Sequence, residues 1–230
     1  MKKNLLFIRF INLFLTFYKM ARLPQGILGG VLGKVGNVVG SSWKGIPILK
    51  SRPLSVANPR TTKQVAQRTK MSNTVEFAKA ILASVIKPLN DRFAQQASGY
   101  NDFVSRNIHL FELPDPDPAT DLTISVGKMA KVTPEITTAD NNTNTVEVGW
   151  ATTLPDAFAA ATDLAYVVLQ NATTGEIVSS GGLNTRADSS IIVTLAENLK
   201  ADDILHVWLA FRRVDGTVVS NTGYAYYSVE

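Results

Sequence analysis

The sequence predicts an α+β chain: a glycine-rich basic arm and an α-helical hairpin, followed by an all-β sandwich of the immunoglobulin or fibronectin kind. Three observations predict it. Glycines recur every three or four residues through Gly26, Gly29, Gly30, Gly33, Gly36 and Gly40, and no acidic residue precedes Glu76. Apolar residues then take helical spacing, with Met71, Val75, Ala78, Leu82 and Val85 stepping by four and three. From Leu122 onward the apolar period shortens to two, in short runs separated by turn residues.

Composition sets the outer bounds. The 230 residues are 45% hydrophobic and 18% charged, enough for one large or two small cored domains and too apolar for a disordered chain. No cysteine is present, which excludes disulfides, thiolate zinc sites and cysteine nucleophiles. The two histidines, His109 and His206, lie far apart in sequence, so the reading includes no metal and no cofactor. Charge is strongly segregated beneath a net of +4. Residues 1–112 hold ten Lys and seven Arg against Glu76, Asp91, Asp102 and Glu112, a net of +13, which leaves −9 for residues 113–230. Such a division suggests two domains with different partners. The basic half is drawn to polyanions: nucleic acid, anionic lipid or an acidic protein face.

Residues 1–19 have two lysines ahead of an apolar run from Leu5 to Tyr18. Three readings are open: an extension upstream of a start at Met20, an interfacial or anchor helix, or a signal peptide. Arg9 and Asn12 interrupt the run, no A-x-A-type cleavage site follows, and about fourteen residues fall short of the roughly 20 that span a bilayer. Membrane contact is expected only if this segment is used.

Residues 20–112 form the arm and the hairpin. The glycines, up to Gly45, allow close backbone approach, so the arm is expected to thread along a partner subunit or along the second domain. Neither G-x-x-x-x-G-K-[ST] nor G-x-G-x-x-G occurs. Trp43, Ile46, Ile48, Leu54 and Val56 alternate between prolines, which predicts two extended pieces, in hairpin form or apart, over 41–57. Lys34, Lys44, Lys50 and Arg52 surround Trp43, and Arg60, Lys63, Arg68 and Lys70 follow. Basic residues interleaved with an aromatic ring are how single-stranded nucleic acid is gripped, so these nine are the candidate nucleic-acid-binding residues. The competing reading makes Trp43 a core or interface anchor.

Asn58-Pro-Arg-Thr-Thr62 predicts a helix start with a threonine cap, and the helix runs to about Ile86. Pro88 ends it or starts the next one, from Leu89 to about Ile108, with a break at Gly99. Two such helices joined by a short turn should pack antiparallel. Residues 113–120, Leu-Pro-Asp-Pro-Asp-Pro-Ala-Thr, read as a stiff linker.

Residues 121–230 form the sandwich. The expected strands are 122–127, 145–151, 165–171, 176–180, 190–195, 204–212, 217–220 and 224–229. Asp215-Gly216 is the clearest hairpin turn, and Asp202-Asp203 reads as turn chemistry rather than a metal site.

From Met20 to about Asn107 the chain resembles an uncharacterised domain family found in Bacteroidota. The residues that carry it are Gly26-Ile-Leu-Gly-Gly30, Gly33-Lys-Val-Gly-Asn-Val-Val-Gly40, Trp43-Lys-Gly45, Arg52-Pro53 and Asn58-Pro-Arg-Thr61 with Gln64, Gln67 and Arg68. The resemblance implies a start at Met20 and a β-rich C-terminal half, and it supplies no activity. The Asn58-to-Arg68 piece is more weakly similar to small phage and prophage proteins.

These readings point to a non-enzymatic structural or assembly protein, phage- or mobile-element-derived, cytoplasmic or virion-associated. Its arm would contact a neighbouring subunit, in a homo-oligomer for instance, or nucleic acid. The alternative is a secreted or surface adhesion-type module that binds through the sandwich.

Overall fold

A computed structural model describes residues 29–53, 55, 58–139 and 141–229, and divides the chain into one unit ending at Pro59 and another starting at Arg60. The readings of residues 1–19, Gly26, Leu54 and Val56 lie outside the described residues.

The first unit is an antiparallel meander of β1 (Gly33–Val35), β2 (Val38–Trp43) and β3 (Ile46–Ser51). The β2–β3 turn is Lys44-Gly45, both with positive φ (49° and 83°). Two such residues in a row make the tight turn whose twist suits a hairpin. Gly40 has a second job. A Cβ there would sit 2.0 Å from the Val31 carbonyl oxygen, and one on Gly30 would sit 2.8 Å from Pro47 Cβ. Residues 29–31 therefore cross the face of the sheet that carries Gly40 and Pro47, and close approach is what these glycines supply.

In the second unit, α1 (Thr62–Ala80) starts as its sequence demands. Thr61 Oγ1 accepts the Gln64 N–H at 3.4 Å and Gln64 Oε1 accepts the Thr61 N–H at 3.3 Å, a complete capping box. A π-helical turn, Leu82–Ile86, leads into α2 (Lys87–Asn90). Pro88 has no N–H for the carbonyl four residues back, so the ladder widens ahead of it. Leu89 thus closes the first helix instead of opening the second. The chain turns, and α3 (Gly99–Asn107) begins on a Ser98 cap. Gly99 fits because its backbone N–H donates to Asp91 Oδ1 at 2.8 Å, where any Cβ would meet that carboxylate.

The buried face differs from the expected stripe. Met71 stays 42% exposed, whereas Phe77, Ala78, Ile81, Val85, Ile86 and Leu89 are buried. The first turns of α1 are exposed, and the π turn adds a residue that rotates the later stripe.

Among the described residues, seven strands build the sandwich. β4 (Pro134–Thr138), β5 (Thr145–Trp150) and β8 (Ser190–Thr194) form one sheet in the order β4-β5-β8. β6 (Leu164–Asn171), β7 (Ile177–Thr185), β9 (Ile204–Arg212) and β10 (Gly223–Ser228) form the other, in the order β10-β9-β6-β7. Val146, Val148, Val167, Leu205, Val207, Leu209 and Phe211 fill the space between them.

The opposite side of the second sheet is also buried. Tyr166, Val168, Trp208 and Ala210 join Phe77, Phe103 and Phe111 of the helical segments in a second core. Phe77 meets Trp208 edge-on, 6.0 Å between centroids. The unit therefore has three layers: sheet, sheet and helices. The separate domains expected on either side of residues 113–120 share this core. The Pro/Asp stretch is a strap: Trp208 Nε1–H donates to the Ala119 carbonyl at 2.9 Å, and Asp115 accepts from Gln170.

Two strand expectations are corrected. Residues 122–127 are extended without a ladder, because side-chain amides satisfy their backbone. Asn107 Oδ1 accepts the Thr123 N–H at 2.9 Å, and Asn90 Nδ2 donates to the Ile124 carbonyl at 2.9 Å. Among the described residues, 217–220 contribute only two isolated bridges, Val219 to Arg212 and Ser220 to Met129. The unexpected strand is β4, short and bulged between Ile136 and Thr138. Among the described residues, no helix is long and apolar enough to cross a membrane.

Candidate functional site

Residues paired across neighbouring strands share a face of the sheet. In the first unit, Lys34 pairs with Val39, Val39 with Lys50, Ser41 with Ile48, and Trp43 with Ile46. One face therefore collects Lys34, Trp43, Ile46, Ile48 and Lys50. All five are exposed, Trp43 at 54% and Ile46 at 59%. Lys44, in the turn, places its Nζ 5.4 Å from the centre of the Trp43 ring, within cation–π range. The result is an apolar centre with cations at its margin and no carboxylate among residues 29–59. The opposite face is the one that residues 29–31 cross. Arg52 follows β3, its backbone N–H donating to the Asn37 carbonyl at 2.7 Å.

The remaining candidates stand on the second unit. Arg60 and Arg68 line a shallow cleft of about 480 Å³ with Thr69 and Ser72, and Lys63 is exposed beside the cap. Lys70 is engaged otherwise, with its Nζ 2.6 Å from Glu112 Oε1. That hydrogen bond and the ammonium charge hold the Glu112 carboxyl below its usual range. The structure thus brings Lys34, Trp43, Lys44 and Lys50 together and commits Lys70 to an internal pair.

Other polar groups of the second unit are built into the fold. His206 Nδ1 lies 2.8 Å from the Tyr224 hydroxyl, its ring stacked on Tyr224 and tilted against Trp208. Burial pushes its pKa below the ordinary imidazole value, and Asp115 only partly opposes this. His109 is exposed in the last turn after α3. Arg186 is fully buried, 3.5 Å from Asp163 and 3.9 Å from the centre of the Phe211 ring. Asp203 Oδ2 accepts from the Lys200 N–H and from Asn171 Nδ2, the turn chemistry expected of it. Among the described residues, no group of His, Asp and Glu could hold a metal ion.

A family model described as a family of unknown function, DUF6266, matches residues 30–226. The chain belongs to DUF6266. The DUF6266 match begins ahead of β1 and ends within β10, so it takes in both units. No curated protein matches the chain. Among solved structures, one similar chain is the FN5 domain of Drosophila Lar, at 16% identity and a TM-score of 0.25, over 45% of this DUF6266 chain and 92% of that one. The sandwich is immunoglobulin/fibronectin-like on its own topology, three strands against four with β7 beside β6.

One acidic surface had no sequence motif to announce it. On the outside of β4-β5-β8, Glu135 pairs with Gly149 and Glu147 with Ile192, and Asp188 lies at the margin. The alternation of Val146 and Val148 with Thr145, Glu147 and Gly149 was the available signal.

Proposed function

We propose that this DUF6266 chain is a non-enzymatic assembly module whose three-stranded front sheet docks on a neighbouring protein subunit. The observation that carries this reading is the strand face of Trp43, Ile46 and Ile48 between Lys34 and Lys50. An apolar centre containing tryptophan, with charge kept to the rim, is the anatomy of a protein interface. The weaker similarity of Asn58 to Arg68 to phage proteins adds a mobile-element or virion setting to the proposal.

Nucleic acid is the second reading. It is favoured by the absence of acidic residues from 29 to 59 and by Trp43 standing among Lys34, Lys44 and Lys50. A pull-down from cells that make the protein, using the natural chain and Trp43→Asp/Ile48→Asp, separates the two. The assembly reading expects a protein partner that survives nuclease and is lost with the double variant. Capture that nuclease abolishes supports nucleic acid instead. Equal capture by both chains contradicts both readings.

A further inference from the structure

We infer that the acidic outer face of β4-β5-β8 receives the basic strand face of a second copy, so that copies join head to tail. The inference rests on the strand face being a docking surface. Its own support is the complementarity of the two faces, in charge and in apolar content.

The outer face is built by alternation. Val146, Val148 and Trp150 of β5 point into the sandwich, which leaves Glu147 and Gly149 outside. Register adds Glu135 from β4, opposite Gly149, and Ile192 from β8, opposite Glu147. Beside Gly149, over which the Thr137 methyl sits, runs a cleft of about 420 Å³ that Glu135 and Glu147 line. A second cleft of about 430 Å³ shares Glu147 and adds Asp188, Leu183 and Ile192. Neither cleft is lined by a lysine or an arginine. Leu183 is 80% exposed and Ile192 66%. Such apolar exposure beside three carboxylates is unusual for a purely solvated sheet.

The strand face is its counterpart. Lys34, Lys44 and Lys50 correspond to Glu135, Glu147 and Asp188, and Trp43, Ile46 and Ile48 correspond to Leu183 and Ile192. Opposed potentials of this kind set register and reject wrong partners. The two surfaces differ, so the contact is heterologous. Repeated, it closes into a ring or extends into a filament.

The test is a charge swap in the full chain, read by sedimentation velocity over a range of concentrations. Lys34→Glu/Lys50→Glu and Glu135→Lys/Glu147→Lys are each expected to weaken self-association at least about tenfold. Mixing the two variants is expected to restore it, since each supplies the surface the other has altered. Ile192→Asp gives an independent check that leaves the Ser190–Glu147 hydrogen bond intact. If only the lysine variant weakens association, the acidic face is not the receiver and the inference falls, while strand-face docking stands. If neither variant weakens it, both fall. A natural chain that stays monomeric throughout overturns head-to-tail joining and leaves the strand face to a different protein.

Discussion

The two units use apolar residues in opposite ways. In the second, Phe77, Phe103, Trp208 and Phe211 are essentially inaccessible to water. In the first, Leu32, Val35, Trp43, Ile46, Ile48 and Leu49 are all at least 40% exposed. Both contain regular antiparallel ladders, so backbone pairing does not distinguish them. What distinguishes them is a second layer. β9 is covered on both sides, by the other sheet and by helices, whereas among the described residues β2 has only residues 29–31 across one face. Three strands without a packed face are marginal in water, and apolar side chains held in that state are suited to a partner.

The contrast can be broken or sharpened by substitution. The largest effect is expected at Trp208, which joins helices, strap and sheet. Trp208→Ala should cost about 3–5 kcal/mol, and denaturant melts followed by helix and sheet signals should shift together as one transition. Two separate transitions would mean that the helices are not part of the sandwich unit.

Gly181 comes next. A Cβ there would lie 2.7 Å from the Ser84 carbonyl oxygen and 2.3 Å from the Tyr166 ring. Gly181→Ala should cost about 1–3 kcal/mol by overpacking. Stability unchanged by it would deny that the helical layer seats tightly on β7.

Acid sharpens the comparison further. Burial raises the Asp203 pKa, but the Lys200 N–H, the Asn171 amide and the Thr173 hydroxyl outweigh it and leave the carboxyl below its usual value. A carboxyl depressed in the folded state stabilises fully above its unfolded pKa of about 4, and that contribution fades as pH falls through the folded value. Asp203→Asn should lower neutral-pH stability by about 1–3 kcal/mol and flatten the acid limb of the stability curve. Residues 29–59 contain no carboxyl group, so the first unit has no such acid limb.

The smallest effect belongs to the first unit. Trp43→Ala should change the melt by less than about 0.5 kcal/mol, as exposed substitutions do, while abolishing partner binding. A loss of several kcal/mol would show that Trp43 belongs to a core.

Much of this fold was legible. Thr61 with Gln64 announced the α1 cap, and strict alternation placed β5, β8 and β9 within a residue or so. The helical layer was harder to see, because Trp208 and Ala210 read as the outer half of an alternating strand. The clue lay in β6, where Ala165 to Leu169 is apolar throughout, as a strand buried on both faces should be. The candidate site was legible in its parts only. Lys34, Trp43 and Lys50 were visible as residues, but their common face depends on register. Register depends on the turn at Lys44-Gly45, and Gly45 resembled one more packing glycine.

Hydrogen exchange of the full chain at two protein concentrations tests the central contrast most directly. At high dilution, the amides of β2 and β3 should exchange far faster than those of β6 and β9, and they should gain protection as association is driven by concentration. Slow exchange in β2 and β3 that is already complete at dilution and indifferent to concentration would contradict the account, because the front sheet would then stand without a partner.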